Sequence, residues 1–223
     1  MEQRNILSDR QVRGRLTLDW VVRRVKDTNP TERRRSNEDA SVDQSIKPVE
    51  VAPIMSTDGP LKEAAVLVPL VNRPEGLTVL LTKRTEHLAN HAGQISFPGG
   101  RVDEGDEDGI ATALRETQEE IGLDPHHIEV IGRLDDYVVG TGYLVEPVIA
   151  VLEPPFDITP HDGEVAAVFE PPLEFLMDLS NYQRHHRIRD EVKRHFYAIT
   201  FEEYFIWGAT AGMLRNLSER LKV

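Results

Sequence analysis

The segment from residue 99 to residue 123, GGRVDEGDEDGIATALRETQEEIGL, constrains the fold of this chain more than any other stretch. Gly99 and Gly100 allow a tight loop whose backbone can approach an ion or a phosphate group. An acidic loop follows, and then a run with helical periodicity that stops at Gly122, the residue type most typical of a helix C-terminal cap. The segment therefore predicts a loop-helix-loop unit.

Three glutamates project from one side of the predicted helix. Because an α-helix has about 3.6 residues per turn, Glu116, Glu119 and Glu120 lie within roughly 100° of one another. Their repulsion weakens the helix unless a cation lies among them. Carboxylate oxygens are preferred ligands of hard divalent ions, and Mg²⁺ is normally held by a few carboxylates together with substrate phosphate oxygens. The pattern therefore predicts a metal site for phosphoryl chemistry.

The same helix has apolar positions at helical spacing, which predict the face that packs on the core: Ile110, Leu114, Thr117 and Ile121. Two other interpretations of the acidic run are weaker. A solvated acidic face does not explain the spacing between a glycine loop and a glycine stop. A calcium loop with Gly109 at its sixth position would place Arg115 at the twelfth, where a bidentate glutamate is required.

These residues resemble the Nudix box, whose form is G-x5-E-x7-R-E-U-x-E-E-x-G-U with U aliphatic. The second half matches closely, although Thr117 replaces an aliphatic residue. In the first half, Asp106 stands in place of the glutamate, and eight residues rather than seven precede Arg115. The resemblance implies an α/β fold, namely an α/β/α sandwich with a mixed sheet and a loop-helix-loop metal site.

The helix and the resemblance together predict Mg²⁺- or Mn²⁺-dependent hydrolysis of a pyrophosphate bond by water. The expected metal ligands are Glu116, Glu120, Glu119 and the carbonyl of Gly100. Glu119 is either the third ligand or the group that takes the proton from water. Arg115 is expected to orient the carboxylates through its planar fork. Glu164, in the loop HDGEVAAV, is the candidate general base, and the alternative for it is a solvated loop acid.

The residues before the box narrow the resemblance. The stretch LLTKR at 80–84, then Gly93, then FPGG at 97–100 is similar to the coenzyme A pyrophosphatase signature L-L-T-x-R-[SA]-x3-R-x3-G-x3-F-P-G-G. Thr85 stands where Ser or Ala is usual, and Ala89 stands where the signature has an arginine. The resemblance implies cleavage of CoA or its thioesters to phosphopantetheine and adenosine 3',5'-bisphosphate. The alternatives are hydrolysis of ADP-ribose, NADH or a related compound, and a nucleotide-binding protein without turnover.

The expected substrate contacts are Arg84, His91 and Gly93, with Phe97 packing near the site. A basic group at residues 184–187, RHHR, is a hypothesis for the extra phosphate of CoA, in place of the arginine that Ala89 replaces. The pairs at 126–127 and 185–186 do not have zinc-site spacing. Trp207 and Tyr204 are interpreted as core residues rather than as a base-stacking pair.

The chain of 223 residues divides into two predicted parts. Residues 1–58 comprise an amphipathic helix at 7–26 and a polar linker, and residues 59–223 form the hydrolase domain. Strands are predicted at 64–71, 77–82, 128–134 and 143–152, followed by a charged hairpin at 184–200 and a final helix at 205–221. The chain has no cysteine, which excludes disulfides and thiolate metal sites.

Charge and hydropathy limit the partners. The net charge is −12, and residues after 50 hold 15 basic and 29 acidic side chains, which argues against nucleic-acid binding. No apolar run approaches the ~20 residues of a membrane-spanning helix, and the expected location is the cytoplasm. The expected partner is a small CoA-like nucleotide, and a homodimer is left open.

Overall fold

The computed structural model describes residues 16–31, 34–37, 60–88, 91–189 and 192–221. Four α-helices lie in these ranges: α1 (Leu18–Lys26), α2 (Gly109–Ile121), α3 (Leu173–Met177) and α4 (Ala209–Leu221). The strands are β1 (Arg35–Ser36), β2 (Lys62–Arg73), β3 (Gly76–Val79), β4 (Leu81–Arg84), β5 (Ile95–Ser96), β6 (Gly99–Arg101), β7 (Ile128–Arg133), β8 (Tyr137–Val139), β9 (Tyr143–Leu152), β10 (Val165–Phe169), β11 (Tyr182–Arg189), β12 (Val192–Phe201) and β13 (Tyr204–Trp207). None of these helices is long and apolar enough to cross a membrane.

The main sheet is mixed and has seven strands in the order β1-β8-β9-β2-β3, with β6 paired to β2 and β7 paired to β9. Strand β2 runs parallel to β9 and antiparallel to β3 and β6, whereas β9 is antiparallel to β7 and β8. Long strands with both faces covered read as continuous apolar runs. The runs AAVLVPLV and YLVEPVIAVL in β2 and β9 fit that rule.

Helices cover both faces of this sheet. Alternate residues of a strand point to opposite faces, and Ala65 and Leu67 of β2 pack in a cluster with Ala113 of α2. Val68 and Leu70 belong instead to the large core that includes the buried side of α4. The α/β/α sandwich with a mixed sheet is therefore confirmed.

Two three-stranded sheets flank the main one and position the site. The first has the order β10-β4-β5, and the second is the meander β11-β12-β13. Arg84 ends β4 and pairs with Val165 at the start of β10. In the second sheet, β11 and β12 form the predicted charged hairpin, with Arg187 directly opposite Arg194.

The N-terminal region packs on the domain where it is described. Val21 and Val25 of α1 are fully buried in the core, and the Arg220 guanidinium donates to the Val25 carbonyl at 3.0 Å. Strand β1 lies within the predicted polar linker, so residues 35–36 are not irregular as expected. The division near residue 58 stays a prediction. Residues 7–15 of the predicted helix and residues 38–59 of the linker lie outside the described ranges.

Three element predictions need correction. The final helix starts at Ala209 rather than at residue 205, because Tyr204–Trp207 pairs with β12 and Gly208 turns with φ +68°. The predicted strand at 77–82 is two strands that belong to different sheets and are separated at Leu80. Ile110 is 37% exposed rather than packed, since it lies in the first turn, beyond the edge of the core.

Candidate functional site

The two glycines of β6 bring the loop backbone directly against helix α2. Gly99 has φ +152°, and a Cβ there would lie 2.4 Å from the Ala65 carbonyl oxygen. A Cβ at Gly100 would lie 2.5 Å from both carboxylate oxygens of Glu116. Only glycine fits such close contacts without displacement of a neighbour. The structure therefore places the Gly100 backbone beside the first of the predicted carboxylate ligands.

Helix α2 is capped at both ends, and its end at Gly122 is the one that the sequence predicts. The Asp108 side chain accepts a hydrogen bond from the Ala111 amide at 2.8 Å, as an N-cap residue does. Gly122 closes the helix in the left-handed conformation, with φ 67°. Both ends are thus fixed, so the helix holds its acidic turn at a defined height above β2.

Arg115 gathers four groups around the acidic turn. Its Nε and Nη2 donate to the two oxygens of Asp106 at 3.0 and 2.9 Å. Its Nη1 donates to Glu116 Oε1 at 2.9 Å and to Glu119 Oε2 at 3.3 Å, and Nη2 also donates to the Arg101 carbonyl at 3.0 Å. A planar guanidinium provides this fork, which a lysine cannot reproduce.

The arginine perturbs the acid that it binds on both oxygens. Hydrogen bonds from Arg115 hold the pKa of Asp106 well below its ordinary value. Asp106 is the position at which the sequence departs from the expected glutamate. The shorter carboxyl nevertheless reaches Arg115 with two hydrogen bonds, and the Thr112 hydroxyl also donates to it at 2.8 Å.

Glu120 is the buried acid of the site. The residue is 3% exposed, and burial raises its pKa from 4.5 to about 7, with the charges of Glu116 and Glu164 adding to the rise. Arg84 Nη1 donates to its Oε1 at 3.3 Å, and the Gly99 amide donates to its Oε2 at 3.3 Å. Both contacts favour the charged form but do not offset the burial.

The other two glutamates of the turn are more accessible. The Glu116 side chain is 19% exposed, and burial raises its pKa against the opposing effect of Arg115. The Glu119 side chain is 61% exposed and pairs with Arg115. One helical turn thus presents three carboxylates in three environments, of which only that of Glu120 is largely closed to solvent.

The acidic turn suits a divalent ion by its chemistry, although its side chains are not yet gathered around one point. Within the described part of the chain, no group of three acids or histidines stands close enough to hold a metal ion. Arg115 and Arg84 occupy the carboxylates instead. Glu116, Glu119 and Glu120 provide hard carboxylate oxygens of the kind that Mg²⁺ and Mn²⁺ accept, and the Gly100 backbone lies beside Glu116.

Glu164 lies in a loop tied to the same helix. The Thr85 amide donates to the Glu164 carbonyl at 2.9 Å, the Glu164 amide donates to the His161 carbonyl at 2.9 Å, and the His161 amide donates to the Glu120 carbonyl at 2.8 Å. The Glu164 charge reaches Glu120, whose pKa it raises. The structure thus brings Arg84, Glu120 and Glu164, which lie far apart in sequence, to one place.

A cavity of about 400 Å³ meets the site at Arg84 and Gly99, which both contact Glu120, and none of the α2 residues lines it. Of the predicted substrate contacts, Arg84, His91 and Phe97 line it. His91 has φ 58°, and its Nδ1 lies 2.8 Å from Gln94 Oε1. Gly93 is not among the lining residues. It turns the loop with φ +67°, and a Cβ there would lie 2.5 Å from Glu86 Oε1.

The hairpin supplies another part of the cavity wall, and the basic residues there differ from the group that the sequence predicts. Arg187 lines the cavity, but Arg184, His185 and His186 of the predicted basic group do not. Lys193, Arg194 and His195 of β12 line it instead, and these residues were missed. The cross-strand pairing of β11 and β12 sets Arg194 directly opposite Arg187, with Lys193 and His195 as its neighbours along β12.

Trp207 also corrects the sequence interpretation. It lines the cavity, and its ring centroid lies 5.4 Å from that of Phe196. Tyr204 instead stacks on Phe169 with centroids 3.7 Å apart. Trp207 is therefore part of the cavity wall, whereas Tyr204 packs on Phe169. The two residues stand three positions apart on a strand, so their side chains point to opposite faces.

Comparison with known proteins identifies the family. The NUDIX domain model matches residues 61–196, which include the acidic helix, Glu164 and most of the hairpin. The chain belongs to the Nudix family. The uncharacterized Nudix hydrolase NudL of Escherichia coli K12 is 43% identical over 163 residues, which is 73% of this chain and 84% of NudL. NudL of Shigella boydii serotype 4 is 44% identical over the same shares of both chains.

Among solved structures, the Nudix chain is similar to a Caenorhabditis elegans Ap4A hydrolase in a binary complex. The identity is 25%, the TM-score is 0.44, and the match covers 50% of this chain and 80% of that one. The family assignment itself rests on the domain match and on NudL. The protein is therefore a Nudix pyrophosphohydrolase, in a family that acts on small nucleotide substrates and generally uses divalent metal ions.

Proposed function

We propose that this Nudix hydrolase cleaves the pyrophosphate bond of coenzyme A or of a CoA thioester, with Mg²⁺ or Mn²⁺ as its ion. The products are then phosphopantetheine and adenosine 3',5'-bisphosphate. A cytoplasmic location and the resemblance to the coenzyme A pyrophosphatase branch belong to the same proposal. Ala89, where that signature has an arginine, lies outside the described residues.

The observation that carries the proposal is that one cavity has cations in two places. Arg84 lies beside Glu120 at the acidic helix, and Arg187, Lys193 and Arg194 belong to the hairpin. A substrate with a pyrophosphate and a separate phosphate would place one of them at Arg84 and the other at the hairpin cations. CoA carries both, whereas ADP-ribose and NADH carry only the pyrophosphate.

The hairpin cations are placed as a binding site for an anion requires. Arg187 and Arg194 are directly opposite each other across the ladder, and like charges in that position destabilise a sheet. Arg194 Nε is buried and makes no hydrogen bond with the described residues, which typically costs about 1–3 kcal/mol. A phosphate group would relieve both costs, because it accepts hydrogen bonds and carries the opposite charge.

The residues of the acidic helix define the reaction in this proposal. Glu116, Glu119, Glu120 and the Gly100 carbonyl hold the metal, and Arg115 keeps the two more accessible glutamates in position. The bound ion supplies neutralisation of phosphate charge and a lowered pKa for water. Arg84 has donors beyond the one that meets Glu120, and they suit bidentate contact with a phosphate. Trp207 and Phe97 provide apolar surface.

Glu164 is proposed to accept the proton from the attacking water, with Glu119 as the alternative acceptor. Glu164 lies close enough to Glu120 to affect its pKa, on a loop that backbone hydrogen bonds fix to Thr85 and, through His161, to Glu120. Glu164→Gln should lower kcat by about 100-fold or more and leave the melting temperature unchanged. The matched control is Glu153→Gln, an exposed acid that binds Asn72. Near-normal turnover of the Glu164 variant would remove it from the mechanism.

The substrate assignment is tested with four compounds: CoA, dephospho-CoA, ADP-ribose and NADH. Each is assayed with Mg²⁺ and with Mn²⁺, and Glu120→Gln serves as the inactive control. We expect the highest kcat/KM for CoA. A preference for ADP-ribose or NADH would keep the chemistry and change the substrate. No turnover of any of them would favour a binding protein.

The hairpin has its own test. Arg194→Gln and Arg187→Glu should raise KM for CoA by about tenfold or more and change KM for dephospho-CoA much less, since only CoA carries the 3'-phosphate. Arg23→Gln, on the outer side of α1, is the matched control. Equal effects on the two substrates would show that the hairpin does not bind that phosphate.

A further inference from the structure

Asn37 lines the substrate cavity although it lies far before the conserved domain in sequence. The NUDIX match begins at residue 61, so nothing in that match describes the residues before it. Asn37 follows β1 directly and shares the cavity with Val139, Gly140 and Thr141 at the end of β8. The N-terminal region therefore supplies part of the wall.

Strand β1 is fixed by a dense set of contacts rather than resting loosely on the surface. It pairs in parallel with β8, with Arg35 opposite Tyr137 and Ser36 opposite Val138. The Arg35 side chain donates to Asp135 Oδ2 at 2.9 Å and pairs with Glu219 of α4 at 3.0 Å. The Thr31 hydroxyl donates to the same Asp135 oxygen at 2.8 Å. Asp135 is largely buried, so these bonds form in a region that solvent screens weakly.

A second set of contacts orients the Asn37 side chain itself. The Tyr137 hydroxyl donates to Asn37 Oδ1 at 2.8 Å, and Tyr137 is 1% exposed. A Cβ at Gly212 would lie only 2.1 Å from the Tyr137 hydroxyl oxygen. Gly212 of α4 therefore makes the space that lets the tyrosine reach Asn37. Because Oδ1 is the acceptor here, the group that Asn37 offers to another partner is its donor, Nδ2.

We propose that Asn37 is a substrate-binding residue, whose side-chain amide donates a hydrogen bond to an acceptor atom of the nucleotide held in the cavity. This inference rests on the proposed function only in requiring that the nucleotide occupies this cavity. It goes beyond that function by giving Thr31 and residues 34–37 a role: they hold a recognition group in place. Tyr137 and Arg35 act as positioning residues for it.

The test uses the full-length protein and two substitutions. Asn37→Ala removes the donor, and Asn37→Asp keeps the shape and the acceptor but replaces the donor with a charged oxygen. We expect the alanine variant to raise KM by about three- to tenfold with little change in kcat, since one neutral hydrogen bond is lost. The aspartate variant should raise KM further, because its charge repels an anionic substrate. Asn72→Ala is the matched control, as Asn72 lies outside the cavity lining and bonds to Glu153.

A binding measurement separates this inference from the substrate assignment. ADP is titrated while tryptophan fluorescence is recorded, since Trp207 lines the cavity, and this readout needs no turnover. Weaker ADP binding by both Asn37 variants, with melting temperatures equal to that of the wild type, supports the proposal even if CoA is not the substrate. Binding and KM equal to the wild-type values in both variants would overturn it, and so would an absence of ADP binding by the wild-type protein.

Discussion

Replacing the buried carboxylate Glu120 with glutamine should abolish activity and at the same time stabilise the metal-free protein. A carboxyl that is nearly inaccessible must lose its hydration to carry charge, which raises its pKa from 4.5 to about 7. A rise of that size corresponds to about 3 kcal/mol of folding free energy lost when the group is charged. Glutamine has a similar shape and no charge, so it avoids this loss.

The sign of the pH dependence follows from the direction of the shift. Because folding raises the pKa of Glu120, the folded state binds more protons than the unfolded state between pH 4.5 and about 7. The contribution of Glu120 to stability therefore falls as the pH rises through that range. The advantage of Glu120→Gln should be about 3 kcal/mol near pH 8 and less than about 1 kcal/mol near pH 5.

Thermal unfolding in the presence of a chelator measures this difference. For a chain of this length, about 3 kcal/mol corresponds to a rise in Tm of about 6–12 °C near pH 8. Glu119→Gln is the matched control, since its side chain is 61% exposed and its Tm should stay close to that of the wild type. The reasoning would be refuted if wild type and Glu120→Gln had the same Tm near pH 8, or if their Tm difference did not shrink toward pH 5. Added divalent metal should narrow the difference, because it stabilises only the charged site.

Two further substitutions test how the acidic turn is held. Arg115→Lys keeps the charge but loses the fork that binds Asp106 and two glutamates. Steady-state kinetics should therefore show kcat/KM lowered by about 10–100-fold. A loss below threefold would argue against a positioning role. Gly100→Ala places a Cβ against the Glu116 carboxylate, and because that side chain can swing away, denaturant unfolding should change by less than about 1 kcal/mol while kcat falls by about 100-fold. Unchanged turnover in the Gly100 variant would mean that Glu116 does not need its present position.

The sequence was sufficient for the elements whose patterns are local. Strands β2 and β9 and helix α2 follow from apolar runs and from the Gly122 stop, which act within a few residues. The start of α4 was predicted wrongly, because apolar residues at 205–207 fit a helical stripe as well as a strand. Only pairing with β12 decides between them, and that pairing depends on residues that are not adjacent in sequence.

The composition of the cavity was predictable only in part. Arg84 and Phe97 were found because a motif marks them, and His91 because it lies between two motif positions, whereas Lys193, Arg194 and Asn37 carry no local signal. Arg194 needs the register of the hairpin to bring it opposite Arg187. Asn37 needs a parallel pairing between β1 and β8, strands about a hundred residues apart. Long-range pairings of this kind depend on the assembled fold.

Helix α2 carries its own cation among its carboxylates. Three carboxylates on one turn were expected to weaken the helix unless a cation lay among them, and in the structure that cation is Arg115, with Asp106 as its second anchor. The arginine holds Glu116 and Glu119 by hydrogen bonds and offsets part of their mutual repulsion. Glu120 lies out of its reach and is contacted instead by Arg84 and by the Gly99 amide, each at 3.3 Å. The energetic strain of the site is therefore concentrated in one buried acid, and that acid is the one through which ion binding should contribute most to stability.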